Sequence, residues 1–409
     1  MASSFLSHLT SRRLLQENDE PDEVEIEAHD GDVLVISFVL LSVGVFLGYC
    51  YVRYAFFHKI ERYFPHASSN MILGFVVGLV LFETGTLNDA FSFDPEFFFV
   101  YLLPPIIFSA GYNLPKDFFF HNFGSIMTFA FIGTTLSAFF IGGCLTGFGK
   151  AGLVEELSFT KNMMMGSLIS AVDPVAVILV LKSLSVDEQL KVLLFGESVL
   201  NDAASVVINR VFVEIDIGGK STSEALAPAI PQIIGIAIAS MLIGTFIALS
   251  VAMLHKFSRM NVKKDCFEIE LAAFLLGAFL PYGVAEALGL SGICAVLFAG
   301  VMTDYYTYHH LSKQSQITTR HTVSTLAYVS ELFVFIYLGM SFFLETAHEF
   351  RAGYVILTLV LCFVGRAISV FPLAFLLNMG RKHKLPLKHQ AVLWYSGTLA
   401  LTHTATHSI

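Results

Sequence analysis

One segment carries the densest chemistry: Phe195-Gly196-Glu197-Ser198-Val199-Leu200-Asn201-Asp202-Ala203-Ala204-Ser205. On a helix, Ser198, Asn201 and Asp202 fall at i, i+3 and i+4 and share one face. That face offers a hydroxyl, an amide and a carboxylate, hard oxygen ligands suited to Na⁺, K⁺ or a proton. The small neighbours Gly196, Ala203 and Ala204 let another helix approach closely. Upstream, Ser170-Ala171-Val172-Asp173-Pro174 sets Asp173 directly before a proline. Proline removes a backbone hydrogen bond and bends or breaks a helix. Asp173 is therefore expected at an interrupted helix whose freed backbone groups and carboxylate face a polar cavity. A third charge, Arg366, sits within Cys362-Phe363-Val364-Gly365-Arg366-Ala367-Ile368. A guanidinium out of water keeps its charge and needs a carboxylate. Glu197 and Glu331 are the candidates. Pairing Arg366 with Glu197 makes Asp202 the carboxyl that exchanges ions.

The chemistry this permits is competition. Removal from water disfavours the charged form of a carboxylate. A carboxyl so placed can hold a proton or a metal cation, never both. If the protein moves only when that charge is neutralised, two fluxes are coupled without ATP. The plainer reading is a hydrogen-bonded polar cluster that fastens two helices.

The elements around these residues must lie in a membrane. Of 409 residues, 55% are apolar and only 14% are charged, with 40 Phe. Soluble domains carry about 25% charged residues, so this chain could not cover a water-facing surface. Disorder is excluded on the same ground. What remains is an all-α polytopic membrane protein. The net charge of −9 and the absence of a basic block argue against nucleic acid as a partner. The five scattered cysteines (Cys50, Cys144, Cys266, Cys294 and Cys362) form neither a disulfide framework nor a zinc site. Gly142-Gly143 and Gly218-Gly219 lack the Gly-Lys-Ser/Thr that completes a phosphate loop. No cofactor is expected, and no enzyme.

A spanning helix needs about 20 mostly apolar residues. Such runs lie near 32–52, 69–84, 97–113, 122–146, 163–183, 190–213, 227–254, 267–288, 290–305, 321–344, 352–378 and 389–402. That makes twelve, and the second, ninth and last are short. The membrane transport domain is thus 32–405, after a polar, acidic tail over 1–31. Sixteen Lys and Arg residues fall in loops after odd-numbered spans, and six fall in the tail or in loops after even-numbered ones. Cytoplasmic loops hold the excess of basic residues, so the N-terminus is expected in a lumen or outside. Glu83, Glu268 and Glu270 stand at span ends and read as interfacial. Glu286 is a weaker candidate near another end.

Five stretches, in order, resemble the sodium/proton exchangers of the monovalent cation/proton antiporter-1 family. They are Phe97–Ile107 with Leu103-Pro104-Pro105-Ile106, Ala171–Val177, Phe195–Asp202, Glu331–Gly339, and Gly365-Arg366-Ala367. The resemblance covers roughly 35–395. It implies two inverted repeats of a fold with thirteen spans, a discontinuous helix at Asp173-Pro174, and a core sliding against dimerisation helices. Asp202 with Asn201 is similar to the family's transport pair, and an Asn-Asp pair goes with electroneutral one-for-one exchange. Asp173 and Ser198 match positions lining the ion site, with Na⁺ or K⁺ held at Asp202 and Asp173. Glu197 and Arg366 match a stabilising ion pair, and Glu331 is a secondary candidate. Phe98, Leu103, Pro104 and Pro105 lie in the span associated with amiloride-type inhibitors. A homodimer in an endosomal, Golgi or vacuolar membrane is implied, contributing to pH and cation homeostasis.

Two departures stand out. Ser109 occupies a position that is acidic in some relatives. After Trp394-Tyr395-Ser396-Gly397, residues 398–409 replace the family's Arg-Gly-Ala segment with a Thr- and His-rich end. This end is read as truncated or altered, without the regulatory tail. The alternatives are a non-transporting short form that dimerises with a full-length exchanger, and a cation channel. An intramembrane aspartyl protease using Asp173 and Asp202 would need a Gly-x-Gly-Asp segment that is absent.

Overall fold

The structure is a computed structural model that describes residues 23–54, 66–83, 97–171, 188–217, 222–259, 267–345, 352–381 and 384–395. Among the described residues every regular element is helical. The helices are α1 (Glu23–Arg53), α2 (His66–Glu83), α3 (Leu103–Tyr112), α4 (Lys116–Met127), α5 (Thr134–Lys150) and α6 (Phe159–Ser170). They continue as α7 (Glu188–Ile217), α8 (Thr222–Ser258), α9 (Phe267–Ala287), α10 (Gly292–Met302), α11 (Lys313–Glu345), α12 (Ala352–Gly380) and α13 (387–395). Ten of the twelve expected spans coincide with one of these helices or with a contiguous pair, and of 163–183 and 389–402 the described parts, 163–171 and 389–395, are helical but for Ala171. α1 begins at Glu23, inside the acidic stretch read as tail.

Among the described residues six helical stretches are long and apolar enough to cross a bilayer: Lys116–Lys150, Leu190–Ile217, Pro231–Ser258, Phe267–Ala287, Lys313–Phe342 and Gly353–Gly380. The first is α4 and α5 joined through a π-helical turn at Thr128–Gly133. Val35–Tyr51, Ala67–Glu83 and Phe98–Tyr112 are shorter apolar helices. A second π turn, Phe98–Leu102, precedes α3. Its cause is local. Pro104 and Pro105 cannot donate to the carbonyls four residues back, and the Leu103 N–H reaches Phe98 O instead.

Burial is inverted relative to a soluble protein. Phe246, Leu276 and Phe375 are 72%, 74% and 68% exposed on outer faces, while Asn162, Ser167, Ser170 and Asn201 are fully buried. Lipid tails are as apolar as leucine, so helices associate by close packing and interhelical hydrogen bonds instead. Gly74 and Gly339 carry the tightest contact: a Cβ on either would collide with a backbone carbonyl, of Ile336 or of Met71. α2 and α11 therefore pack backbone to backbone. Gly142 and Gly166 do the same for α5 and α6, where a Cβ on Gly166 would stand 2.6 Å from Ala138 O.

The helices fall into two packed groups. α4, α5, α6, α7 and α12 pack on one another, and α2, α3, α8, α9, α10 and α11 form the second set. Ion pairs join the two at their ends. Lys116, at the start of α4, lies 2.5 Å from Asp304 after α10, and Arg320 of α11 lies 3.2 Å from the same carboxylate. Arg210 of α7 lies 3.2 Å from Glu286 of α9.

Candidate cation site

The site is built where α6 stops. Ala171 takes an extended backbone (φ −68°, ψ 146°), so the helix ends at Ser170 after 12 residues, too few to cross a bilayer. Its N-terminus is capped by Ser158, whose hydroxyl accepts from Lys161 N. Asp173 and Pro174 follow within two or three residues but lie outside the described residues.

α7 runs antiparallel alongside. The Asn209 amide donates to Met164 O at 3.3 Å, and the Ser205 hydroxyl donates to Ser167 O at 2.6 Å. Stepping back one turn on α7 moves one turn forward on α6. This register sets Asn201 and Asp202 level with the α6 end at Ser170–Ala171. Asn201, Ser198 and Glu197 are buried, and Asp202 is half-buried. Gly196 makes room for Ile126 of α4, whose Cδ1 stands 3.0 Å from where a Cβ would be.

α12 closes the site from a third side. Arg366 Nη2 lies 2.7 Å from Glu197 Oε1 and donates to Leu393 O at 3.2 Å. The arginine is thereby fastened both to α7 and to α13. The Trp394 indole N–H donates to Phe363 O at 3.1 Å, and the two rings stand 4.4 Å apart. One turn before Arg366, the Cys362 thiol reaches Ile169 O, 3.6 Å away, at the α6 end. Just past α12, Arg381 donates to Asn122 Oδ1 at 2.5 Å. Burial lowers its pKa below the ordinary arginine value, not enough to remove its charge.

The structure brings Ser198, Asn201, Asp202, Glu197 and Arg366 into one neighbourhood. Glu331 is elsewhere, half-buried on α11, which packs on α2, α3 and α9. Phe98, Leu103, Pro104 and Pro105 lie at the start of the third span, with both prolines buried. Ser109 is buried on α3, where its hydroxyl accepts from Asn113 Nδ2 at 3.2 Å.

Several polar residues were not legible as site-builders. Ser205 and Asn209 continue the stripe of Ser198, Asn201 and Asp202 by one and two turns, a periodicity that was available to find them. Cys362 reads from sequence as packing. Glu270, in the first turn of α9, is 1% exposed and turned toward the start of α11. Ser312 N, Ser312 Oγ and Ser315 Oγ donate to its carboxylate at 2.9, 2.8 and 2.5 Å. It caps the start of α11, whose unsatisfied N–H groups attract a carboxylate.

A half-buried carboxylate beside a helix that ends inside a bundle of lipid-length helices defines a class: polytopic, all-α membrane proteins that carry ions across a bilayer. The model of the family described as "Sodium/hydrogen exchanger, transmembrane" matches residues 33–407, and the chain belongs to this family of secondary transporters. It is 38% identical over 379 residues to sodium/hydrogen exchanger 8 of Rattus norvegicus, covering 91% of this chain and 64% of that protein. It is 33% identical over 386 residues to sodium/hydrogen exchanger 5 of Arabidopsis thaliana, covering 93% and 73%. The chain thus spans just under two thirds of the length of the exchanger 8 relative and somewhat more of the exchanger 5 relative. The fold is that of the sodium proton antiporter MjNhaP1 from Methanocaldococcus jannaschii at pH 8, with a TM-score of 0.68, 16% identity, and coverage of 92% of this chain and 86% of that one.

Proposed function

We propose that the chain exchanges Na⁺, or K⁺, for H⁺ by electroneutral antiport, with Asp202 as the carboxyl the two ions compete for. Asn201 and Ser198 supply neutral oxygens on the same face. Asp173, two residues beyond Ala171 in the chain, is assigned to the same site. Glu197 and Arg366 hold the site's framework without trading ions. The observation that carries this reading is the register of α7 on α6, which sets Asp202 level with a helix end in the middle of a span. Broken helices are where transporters build ion sites, because their freed backbone groups and dipoles face the cavity. The printed names of the relatives, sodium/hydrogen exchangers, support the same ions here.

Na⁺ or K⁺ is a substrate in this reading, not a resident cofactor. The proposal extends to a homodimer in an endosomal, Golgi or vacuolar membrane, supported by the family resemblance of residues 195–202. Its role there is pH and cation homeostasis. The direct test reconstitutes the full chain in liposomes, imposes a pH gradient, and follows labelled Na⁺. Uptake is expected in the native chain, independent of membrane voltage. It disappears in Asp202→Asn, which keeps shape but not charge. Gradient-driven uptake that survives this substitution overturns the assignment.

A further inference from the structure

The helical hydrogen-bond pattern of α6 breaks at Ser167 O, where the chain turns extended at Ala171. In an unbroken helix, Ser167 O would accept from the Ala171 N–H. That N–H instead reaches Leu168 O at 3.3 Å. Two hydroxyls take its place at Ser167 O: Ser170 Oγ at 2.7 Å from the same helix, and Ser205 Oγ at 2.6 Å from α7. Both serines are at most 2% exposed. Two carbonyls further on, Ile169 O takes the Cys362 thiol of α12. The end of the broken helix is thus capped from two other helices. Each cap lies one turn from a charged group: Ser205 three residues past Asp202, Cys362 four residues before Arg366.

We propose that Ser205, with Cys362 as the weaker member, is a positioning residue for cation binding. It fixes where the α6 end stands relative to Asp202. Without it Ser167 O keeps Ser170 Oγ of its own helix, but the bond that ties this carbonyl to α7 is gone and the helix end can shift against Asp202. A carbonyl end carries partial negative charge, so its shift changes the field and the oxygen geometry a cation meets. A proton on Asp202 needs no such oxygen cage. Losing the cap should therefore weaken cation binding more than it slows movement of the loaded protein. This inference rests on the proposed exchange at Asp202.

The experiment uses the full chain in liposomes and measures pH-gradient-driven Na⁺ uptake against Na⁺ concentration. Ser205→Ala is expected to raise the apparent KM for Na⁺ about five- to ten-fold, the scale of one buried hydrogen bond. Its maximal rate per folded molecule should change less than about two-fold by the differential-binding argument. Ser205→Thr, which keeps the hydroxyl, should return KM to near the native value. Cys362→Ala should give a smaller rise, because a thiol is a weak donor, and Cys362→Ser none. A purely structural role would lower the yield of folded protein and leave KM alone, and that result overturns the proposal. So does a KM shift in Ser205→Ala that Ser205→Thr fails to reverse. Should Ser205→Ala not fold, the Cys362→Ala and Cys362→Ser pair decides by the same KM readout. Asp202→Asn runs in parallel. Uptake that persists there topples the site itself and this inference with it, whereas its loss beside an unmoved KM in Ser205→Ala topples the cap alone.

Discussion

Glu197 Oε1 lies 2.7 Å from Arg366 Nη2, and the two side chains are 3% and 1% exposed. The contact is an ion pair by distance, and among the described residues no donor meets Oε1 with hydrogen-bond geometry. Its attraction is Coulombic, in surroundings with little water to screen it. Removing one partner of such a pair strands the other, at about 3–5 kcal/mol. Replacing both partners is far less costly, because no buried charge is left over. Glu197→Gln and Arg366→Gln are each expected to lower the melting temperature of the purified protein sharply. The double variant should melt above the more damaged single variant. A double-mutant cycle with no coupling would remove the pair from the stability of the fold.

Arg210 and Glu286 are 32% and 38% exposed, and their 3.2 Å contact is open to solvent. Exposed pairs contribute roughly 0–1 kcal/mol. Glu286→Gln should shift the melting temperature slightly, and that shift should shrink at high ionic strength, where salt screens the native pair. Glu286 Oε1 also accepts from Gly292 N at 3.0 Å, and a glutamine oxygen can keep that bond.

Glu270 is different in kind. Its two oxygens receive three donors at the head of α11. A glutamine there would point its own N–H₂ at a donor, and alanine would leave all three without their acceptor. Either substitution should cost about 2–4 kcal/mol, from lost charge-assisted hydrogen bonds and unsatisfied buried donors. Faster amide hydrogen exchange across 311–316 would be the local sign. Unchanged protection there would mean the cap is idle.

Gly339 and Gly143 form a matched pair. A methyl at Gly339 meets the Met71 carbonyl, whereas nothing lies within 4 Å of one at Gly143. A backbone oxygen cannot rotate away, so Gly339→Ala must part α2 from α11, at about 1–3 kcal/mol or more. Gly143→Ala is expected to be neutral or to stabilise by up to about 1 kcal/mol through helix propensity. Thermal melting of the two variants side by side reads the difference.

Cation binding should stabilise the folded chain by mass action, about 2.7 kcal/mol at a hundred times Kd. Proton and cation compete for one carboxyl in the proposed mechanism. The rise in melting temperature with added Na⁺ should therefore shrink as pH falls, and vanish in Asp202→Asn. An Na⁺ effect of equal size in that variant would place the cation elsewhere.

Much of this molecule is written in local composition. A run of about 20 apolar residues has one stable form in lipid, a helix that satisfies its own backbone, so the spans could be read directly from residues such as 267–288 and 352–378. The shared face of Ser198, Asn201 and Asp202 follows from helical spacing alone. The polar seam along Ser205 and Asn209 follows too, once that spacing is extended. Pro104 and Pro105 likewise announce the irregular turn that precedes them.

What spacing along one chain cannot reveal is which helix lies beside which. Arg366 had two possible acids, and only packing brought Glu197 of α7 to it and left Glu331 on α11. Ser205 meets Ser167 and Glu270 meets Ser312 across about 40 residues of chain, and Cys362 meets Ile169 across 193. These contacts depend on side-by-side register, which is set by close approach at glycines and by the need to satisfy buried polar groups. Local hydrophobicity made this chain a bundle of membrane helices, because lipid rewards each segment separately. The tertiary structure chose the neighbours of each buried charge, because a carboxylate or guanidinium out of water is stabilised by partners that the linear order does not name.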